Sequence, residues 1–204
     1  MKCERHQRLT PVPDRSLTVP PDDQRHIRIL PYVSTLAEFH AYDPKAAQVA
    51  GMLRDAIQTM APELRVEHVG STSVPGCGGK GIVDLAVLYP DGFLARARAI
   101  LDDLGFQKQG GRDPFPETRP MRVGCVEHDG QPFRIHAHVI ASGSDEHQEL
   151  VWFREALRAR SELRHAYEER KRAILASGIN DSVEYCLAKE EFITDALKRR
   201  KFAS

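Results

Sequence analysis

In the run Ile82-Val83-Asp84-Leu85-Ala86-Val87-Leu88, apolar residues enclose a lone carboxylate, and this stretch constrains the 204-residue chain more than any other. A continuous apolar run of strand length reads as a strand covered on both faces. A carboxylate left unpaired in such a strand carries a heavy desolvation cost. Asp84 therefore needs a metal ion, a cationic side chain or a bed of hydrogen-bond donors, unless it stands at the strand's end and caps a local turn. Upstream, Gly70-Ser71-Thr72-Ser73 offers free N–H groups and three hydroxyls on a flexible backbone. Such a turn approaches phosphate oxygens closely. It is not a P-loop, because Lys80 is followed by Gly81 rather than Ser or Thr, Val74 occupies the first glycine's place, and a strand follows instead of a helix.

The chain is long enough for one sizeable core. Lys+Arg and Asp+Glu both number 29, so no net basic field argues for nucleic acid as a partner. Cys3, Cys77, Cys125 and Cys186 form no C-x-x-C pair, and there is neither a signal-like start nor an apolar run of membrane length. A reducing cytoplasmic setting with no membrane partner is the expectation. Residues 1–25, punctuated by Pro11, Pro13, Pro20 and Pro21, lack periodicity and read as a mobile tail or strap. One domain is expected over 26–204, with a sheet core over 26–141 and a helical layer over 145–202.

Within that domain, 27–33 reads as a short edge strand limited by Pro31. Asp43-Pro44 starts a helix, with Ala46, Val49, Ala50, Leu53 and Ile57 on its apolar face and Pro62 stopping it. A second helix spans 91–104, ended by Gly105. Residues 110–120, rich in Gly and Pro, read either as a flap bringing Arg112 and Arg119 toward a site or as a solvated connector. Asp129-Gly130 joins two strands into a hairpin. Its second arm alternates, with Phe133, Ile135, Ala137 and Val139 on one face and Arg134, His136 and His138 on the other. That second set is either a site or a solvent-exposed face. From 145 onward the pattern is helical, with Ser161 expected as a cap and Leu163, Ala166, Tyr167, Ile174 and Leu175 inward. A last helix, starting at Asn180 or Asp181, carries Tyr185, Leu187, Ala188, Phe192, Ile193 and Leu197.

His68, Gly70, Ser71, Thr72, Val74, Pro75, Gly76, Lys80, Ile82 and Asp84 resemble the E-H-I-G-S-T-A-V-P-G…K-P-I-I-D signature of the GrpB family, and the resemblance runs from about residue 27 to the end. Phe153, Arg154, Glu155, Leu157, Arg158, Tyr167, Lys171, Tyr185 and Lys189 are similar to that family's tail, F-R-D-x-L-R…Y…L-K…Y-x-x-x-K. The resemblance implies the polymerase beta-like nucleotidyltransferase superfamily. The fold would be α+β (α/β), with a mixed sheet, flanking helices and a C-terminal helical layer. It also implies metal-dependent transfer of a nucleotidyl group from a nucleoside triphosphate to an acceptor. The alternative is a noncatalytic nucleotide- or CoA-binding module, since the family's domain also occurs fused to dephospho-CoA kinase. Phosphate and base contacts would fall to Gly70, Ser71, Thr72, Lys80, Arg134, Arg154, Arg158, Lys171, Tyr185 and Lys189.

Two departures from pattern stand out. The superfamily places two carboxylates two residues apart on one strand and a third acid on a neighbouring strand, whereas this chain has Ala86 after Asp84 and offers His136 and His138 from the hairpin. Asp84, His136 and His138 could hold one divalent metal, with preference shifted from Mg²⁺ toward Mn²⁺ or Zn²⁺. The imidazoles could instead serve as acid and base groups or bind phosphate. The family's Leu-Ala-Ala and Lys-Pro are Cys77-Gly78-Gly79 and Lys80-Gly81 here, which loosens the loop.

Overall fold

The computed structural model describes residues 27–111 and 113–201. The tail expected over 1–25, Cys3 and Arg112 lie outside the described residues.

The first helix, α1 (Lys45–Met60), forms where the sequence predicts it. Pro44 already has helical dihedrals (φ −64°, ψ −20°), and Asp43 Oδ1 accepts from the Lys45 N–H at 2.9 Å. Its buried face is Ala46, Val49, Ala50, Leu53 and Ile57. Pro62, which has no N–H to continue the ladder, follows directly on the helix's C-cap, Ala61.

Five strands then build one sheet: β1 (Arg65–Val69), β2 (Val83–Tyr89), β3 (Gln107–Lys108), β4 (Met121–His128) and β5 (Gln131–Ala141). Their order is β1-β2-β5-β4-β3. The central β2–β5 pair is parallel and the β1–β2, β4–β5 and β3–β4 pairs are antiparallel, so the sheet is mixed. Between β2 and β3 runs α2 (Leu94–Asp103), closed by Gly105 at φ +97°. Asp129 (φ +50°) and Gly130 (φ +72°) make the hairpin turn, both left-handed as a two-residue connection requires.

Period-two alternation divides the central strands. Leu85 and Val87 of β2 and Ile135, Ala137 and Val139 of β5 are buried on one face, beneath α1 and α2. The other face carries Asp84, Ala86 and Leu88 of β2 beside Arg134, His136, His138 and Ile140 of β5. The C-terminal layer covers this second face. It comprises α3 (Asp145–Ala159), α4 (Ser161–Ala176) and α5 (Ser182–Lys201). Leu150 of α3 packs on Val69, Ala86, Leu88 and Ile140. Leu157 and Tyr167 pack with Val74 and Cys77 of the loop after β1. None of the described helices is long and apolar enough to cross a membrane.

Three readings need correction. The strand expected over 27–33 shrinks to one bridge, Leu30 with Cys125, because the Tyr32 N–H, the next donor in an antiparallel ladder, goes to the Gln107 side chain instead. The two-residue β3 fills out the five instead. Ser161 is the first residue of α4 and makes no capping bond, and the cap position falls on Arg160. Ala166 is exposed and Leu187 is 61% exposed, since α4 and α5 each bury a narrower stripe than their apolar residues suggest.

Residues 27–42 cross the molecule as a strap. Leu30 bonds both ways with Cys125, the Ala37 N–H donates to Asn180 O, and His40 exchanges two backbone bonds with Gly79 at 2.7 and 3.0 Å. Gly78 and Gly79 are therefore required by close approach. A Cβ on Gly78 would lie 2.5 Å from Phe39 Cζ and 2.8 Å from His40 O. Gly78→Ala should overpack this crossing and destabilise the fold by about 1–3 kcal/mol, read as a lower urea midpoint at unchanged slope.

Candidate active site

The turn after β1 is built around Thr72 and Gly70. Residues Ser71–Ser73 form one 3₁₀ turn, entered through Gly70 at φ +69°. The place of a Cβ on Gly70 is taken by the Asp84 carboxylate, so the glycine lets the turn close onto that acid. The Thr72 hydroxyl donates to Ile82 O at 2.9 Å, and therefore accepts from His68 Nε2–H at 3.0 Å. Ser73 Oγ donates to Gly70 O at 2.6 Å. Ser71 Oγ makes no hydrogen bond among the described residues and stands 2.7 Å from where a Gly79 Cβ would be, with Lys171 Nζ 3.3 Å from the same point.

Asp84 neighbours His136 directly in the parallel register, and Ala86 neighbours His138. Asp84 Oδ1 lies 3.6 Å from His136 Nδ1 and 3.6 Å from His138 Nε2, with its side chain 27% exposed. Burial pushes this carboxyl upward, but the two imidazoles beside it outweigh that and hold Asp84 far below the usual carboxylate range. Burial pushes His136 down. One donor atom from each of Asp84, His136 and His138 lies within 4.8 Å of the others. A tetrahedral ion with bonds of about 2.0–2.2 Å spaces its ligand atoms about 3.4 Å apart. The carboxylate–imidazole separations match that spacing, so the donor set fits one divalent ion with a position left open.

The other expected site residues divide into two groups. Lys80 Nζ donates to Ser182 Oγ at 2.9 Å and sits 5.1 Å from the centroid of the Tyr185 ring, while Lys189 Nζ sits 5.7 Å from the same ring. Lys171 is 2% exposed. Its ammonium donates to Gly78 O and lies 4.3 Å over the Tyr167 ring. Burial lowers both Lys80 and Lys171. These three cations surround the loop that leads into β2.

The arginines are engaged elsewhere. Arg154 donates to Glu67 Oε2 (3.2 Å) and His68 O (2.9 Å), and Arg158 donates twice to Ser73 O (2.6 and 3.2 Å). Both fasten α3 to the back of the turn. Arg134 ties the strap to the loop through Thr35 Oγ1 and Lys80 O. In the 110–120 loop, Arg119 pairs with Glu146, and Phe115 meets the His138 ring edge-on at 5.8 Å.

Tyr32, Phe115 and Glu168 escape a sequence reading. Tyr32 Oη is 2.9 Å from His136 Nε2, and Glu168 accepts from the Gly78 N–H. Tyr32 and Phe115 lie in aperiodic, proline-broken segments, and Glu168 on a charged helix face, so no pattern marks them.

A mixed five-stranded sheet with an Asp–His–His cluster on one face and a C-terminal layer of three helices defines an α+β protein with a candidate metal centre. More narrowly, the chain belongs to the GrpB family, whose sequence profile matches residues 37–199. It is 34% identical over 151 residues to a UPF0157 protein of Streptomyces coelicolor, covering 74% of this chain and 76% of that one. A UPF0157 protein of Halalkalibacterium halodurans is 30% identical over 162 residues, covering 78% and 79%. The crystal structure of the conserved protein GrpB from Enterococcus faecalis shares the fold, with a TM-score of 0.59 at 21% identity over 80% of this chain and 99% of that one.

His68 supplies a stability test. Burial pushes its imidazole down to about 4, more than the nearby Asp84 charge pulls it up. Between that value and the ordinary 6.5, the unfolded chain binds a proton that the folded chain refuses, so stability rises with pH there and is lost as pH falls from 6.5 toward 4. The loss is on the order of 3 kcal/mol. In His68→Gln the melting temperature should fall less steeply over this window than in wild type, by calorimetry at stepped pH.

Proposed function

We propose that the protein is a metal-dependent nucleotidyltransferase that seats a nucleoside triphosphate between the 70–74 turn, Asp84 and helices α4 and α5. The observation that carries this reading is the charge layout. The Asp84–His136–His138 cluster lies at the foot of the turn, and Lys80, Lys171 and Lys189 gather around the adjoining loop with no ion pair to any carboxylate among the described residues. Desolvated cations without counterions gain most from a polyanion.

A divalent ion held by Asp84, His136 and His138 supplies charge neutralisation and activation of an attacking hydroxyl. One carboxylate and two imidazoles favour Mn²⁺ or Zn²⁺ over Mg²⁺. The turn's N–H groups and the unpartnered Ser71 hydroxyl receive terminal phosphate oxygens, with Gly70 and Thr72 shaping that turn. Lys171 faces Ser71 across Gly79, and Lys80 and Lys189 flank Tyr185 where they offset charge growing on the departing pyrophosphate. Arg134, Arg154 and Arg158 hold the walls in place, since each donates to a backbone carbonyl of the loop or turn.

A second reading is favoured by Ala86. It is fully buried among apolar neighbours at the position where a second carboxylate would share the ion. With one acid only, the site would recognise a nucleotide or CoA-related ligand without turning it over.

Incubation with labelled nucleoside triphosphates and Mg²⁺, Mn²⁺ or Zn²⁺ separates the two. Transferase activity predicts pyrophosphate release that Asp84→Asn abolishes. Lys189→Ala should weaken nucleotide binding about tenfold or more, the loss expected of one charge-assisted contact. Absence of turnover with every metal, together with a rise in melting temperature on adding ATP or CoA, would establish the binding module instead. With neither response, both readings fail.

A further inference from the structure

We infer that Tyr32 is a positioning residue that keeps His136 Nε2 hydrogen-bonded when Nδ1 turns its lone pair toward a metal, and thereby raises the metal affinity of the Asp84 cluster, an inference resting on the metal-dependent reading above. Tyr32 Oη lies 2.9 Å from His136 Nε2, and the two rings lie 5.5 Å apart. The opposite ring nitrogen, Nδ1, faces Asp84 Oδ1 at 3.6 Å.

A neutral imidazole has one proton for two nitrogens. With the proton on Nδ1, His136 donates toward Asp84 and its Nε2 accepts from the Tyr32 O–H. With the proton on Nε2, His136 donates to the Tyr32 oxygen, and the Nδ1 lone pair turns toward Asp84, as a bound cation requires. A hydroxyl both donates and accepts, so Tyr32 satisfies the imidazole in either form. A purely donating or purely accepting partner would lock one form. A phenyl ring would leave Nε2 without a partner, because Arg134, the cation next along the same face of β5, is committed to Thr35 and the Lys80 carbonyl.

The strap holds this hydroxyl in place. The Tyr32 N–H donates to Gln107 Oε1 at 3.0 Å, and Leu30, two residues back, is bonded in both directions to Cys125 of β4. His138 has no equivalent: its second nitrogen has no hydrogen-bond partner among the described residues, and its ring neighbours, Phe115 and His136, meet it at steep angles. Control therefore falls on His136 alone. Removing such an outer hydrogen bond from a metal-binding histidine lowers affinity about 10–100-fold.

The test titrates Co²⁺ and Zn²⁺ into wild type and Tyr32→Phe, following the visible bands of Co²⁺ and Zn²⁺ competition with a chelator. The expected result is an affinity lower by about tenfold or more in Tyr32→Phe, with the metal-free melting temperature unchanged. In parallel, ¹⁵N spectra of histidine-labelled wild type loaded with Zn²⁺ should place the His136 proton on Nε2; this measurement needs no variant. Equal affinities in the two proteins, or a proton on Nδ1 in the Zn²⁺-loaded wild type, overturn the inference while leaving the metal site standing. A wild type that takes up neither ion overturns both.

Discussion

The structure depends on keeping one carboxylate charged in the middle of a hydrophobic sheet. Asp84 sits on a strand whose neighbours Val83 and Leu85 are fully buried. Burial alone would neutralise it, and the two imidazoles at 3.6 Å reverse that tendency. The parallel register of β2 and β5 makes this possible, because it sets Asp84 beside His136 and Ala86 beside His138 on one face. The same alternation sends Leu85, Val87, Ile135 and Ala137 to the opposite face, where α1 and α2 cover them. One pair of strands thus supplies both the core and the site, and neither can shift register without losing the other.

Around that pair, the remaining elements divide the work of enclosing charge. Gly70 lets the turn close against Asp84, and Thr72 relays a hydrogen bond from His68 to the start of β2. Arg154 and Arg158 anchor α3 to the turn through backbone carbonyls. The lysines differ. Lys80, Lys171 and Lys189 rest against Tyr185 and Tyr167; burial lowers Lys80 and Lys171, whereas at Lys189 the neighbouring groups, Tyr167 first, outweigh burial and raise it. The strap joins the two halves, touching β4 at Leu30, the cluster at Tyr32 and the glycine loop at His40.

Elements with a strong period or a local chemical stop were legible from the residues. Asp43-Pro44, the Ala46-to-Ile57 stripe, the Asp129-Gly130 turn and the alternation through His136 and His138 all reappear in the structure within a residue or so. The edge strand over 27–33 did not, because the next ladder donor, the Tyr32 N–H, is taken by Gln107 and the strap is held by side chains and isolated bridges. Leu187 and Ala166 misled for a different reason: helical periodicity identifies an apolar residue but not whether a neighbour exists to cover it. The paired glycines at 78 and 79 read as loosening, whereas the strap crowds Gly78, and Ser71 and Lys171 crowd Gly79.

From the residues alone came the elements, the division of β5 into two faces, and the demand that Asp84 meet a cation or donors, since these follow from period, turn chemistry and desolvation acting within a few residues. Only the tertiary structure decided which groups meet that demand. The distances from Asp84 to two imidazoles, the Tyr32 hydroxyl behind one of them and the diversion of Arg154 and Arg158 to carbonyls all join segments far apart in the chain. Such contacts depend on how strands register and helices dock, and no short-range pattern encodes them.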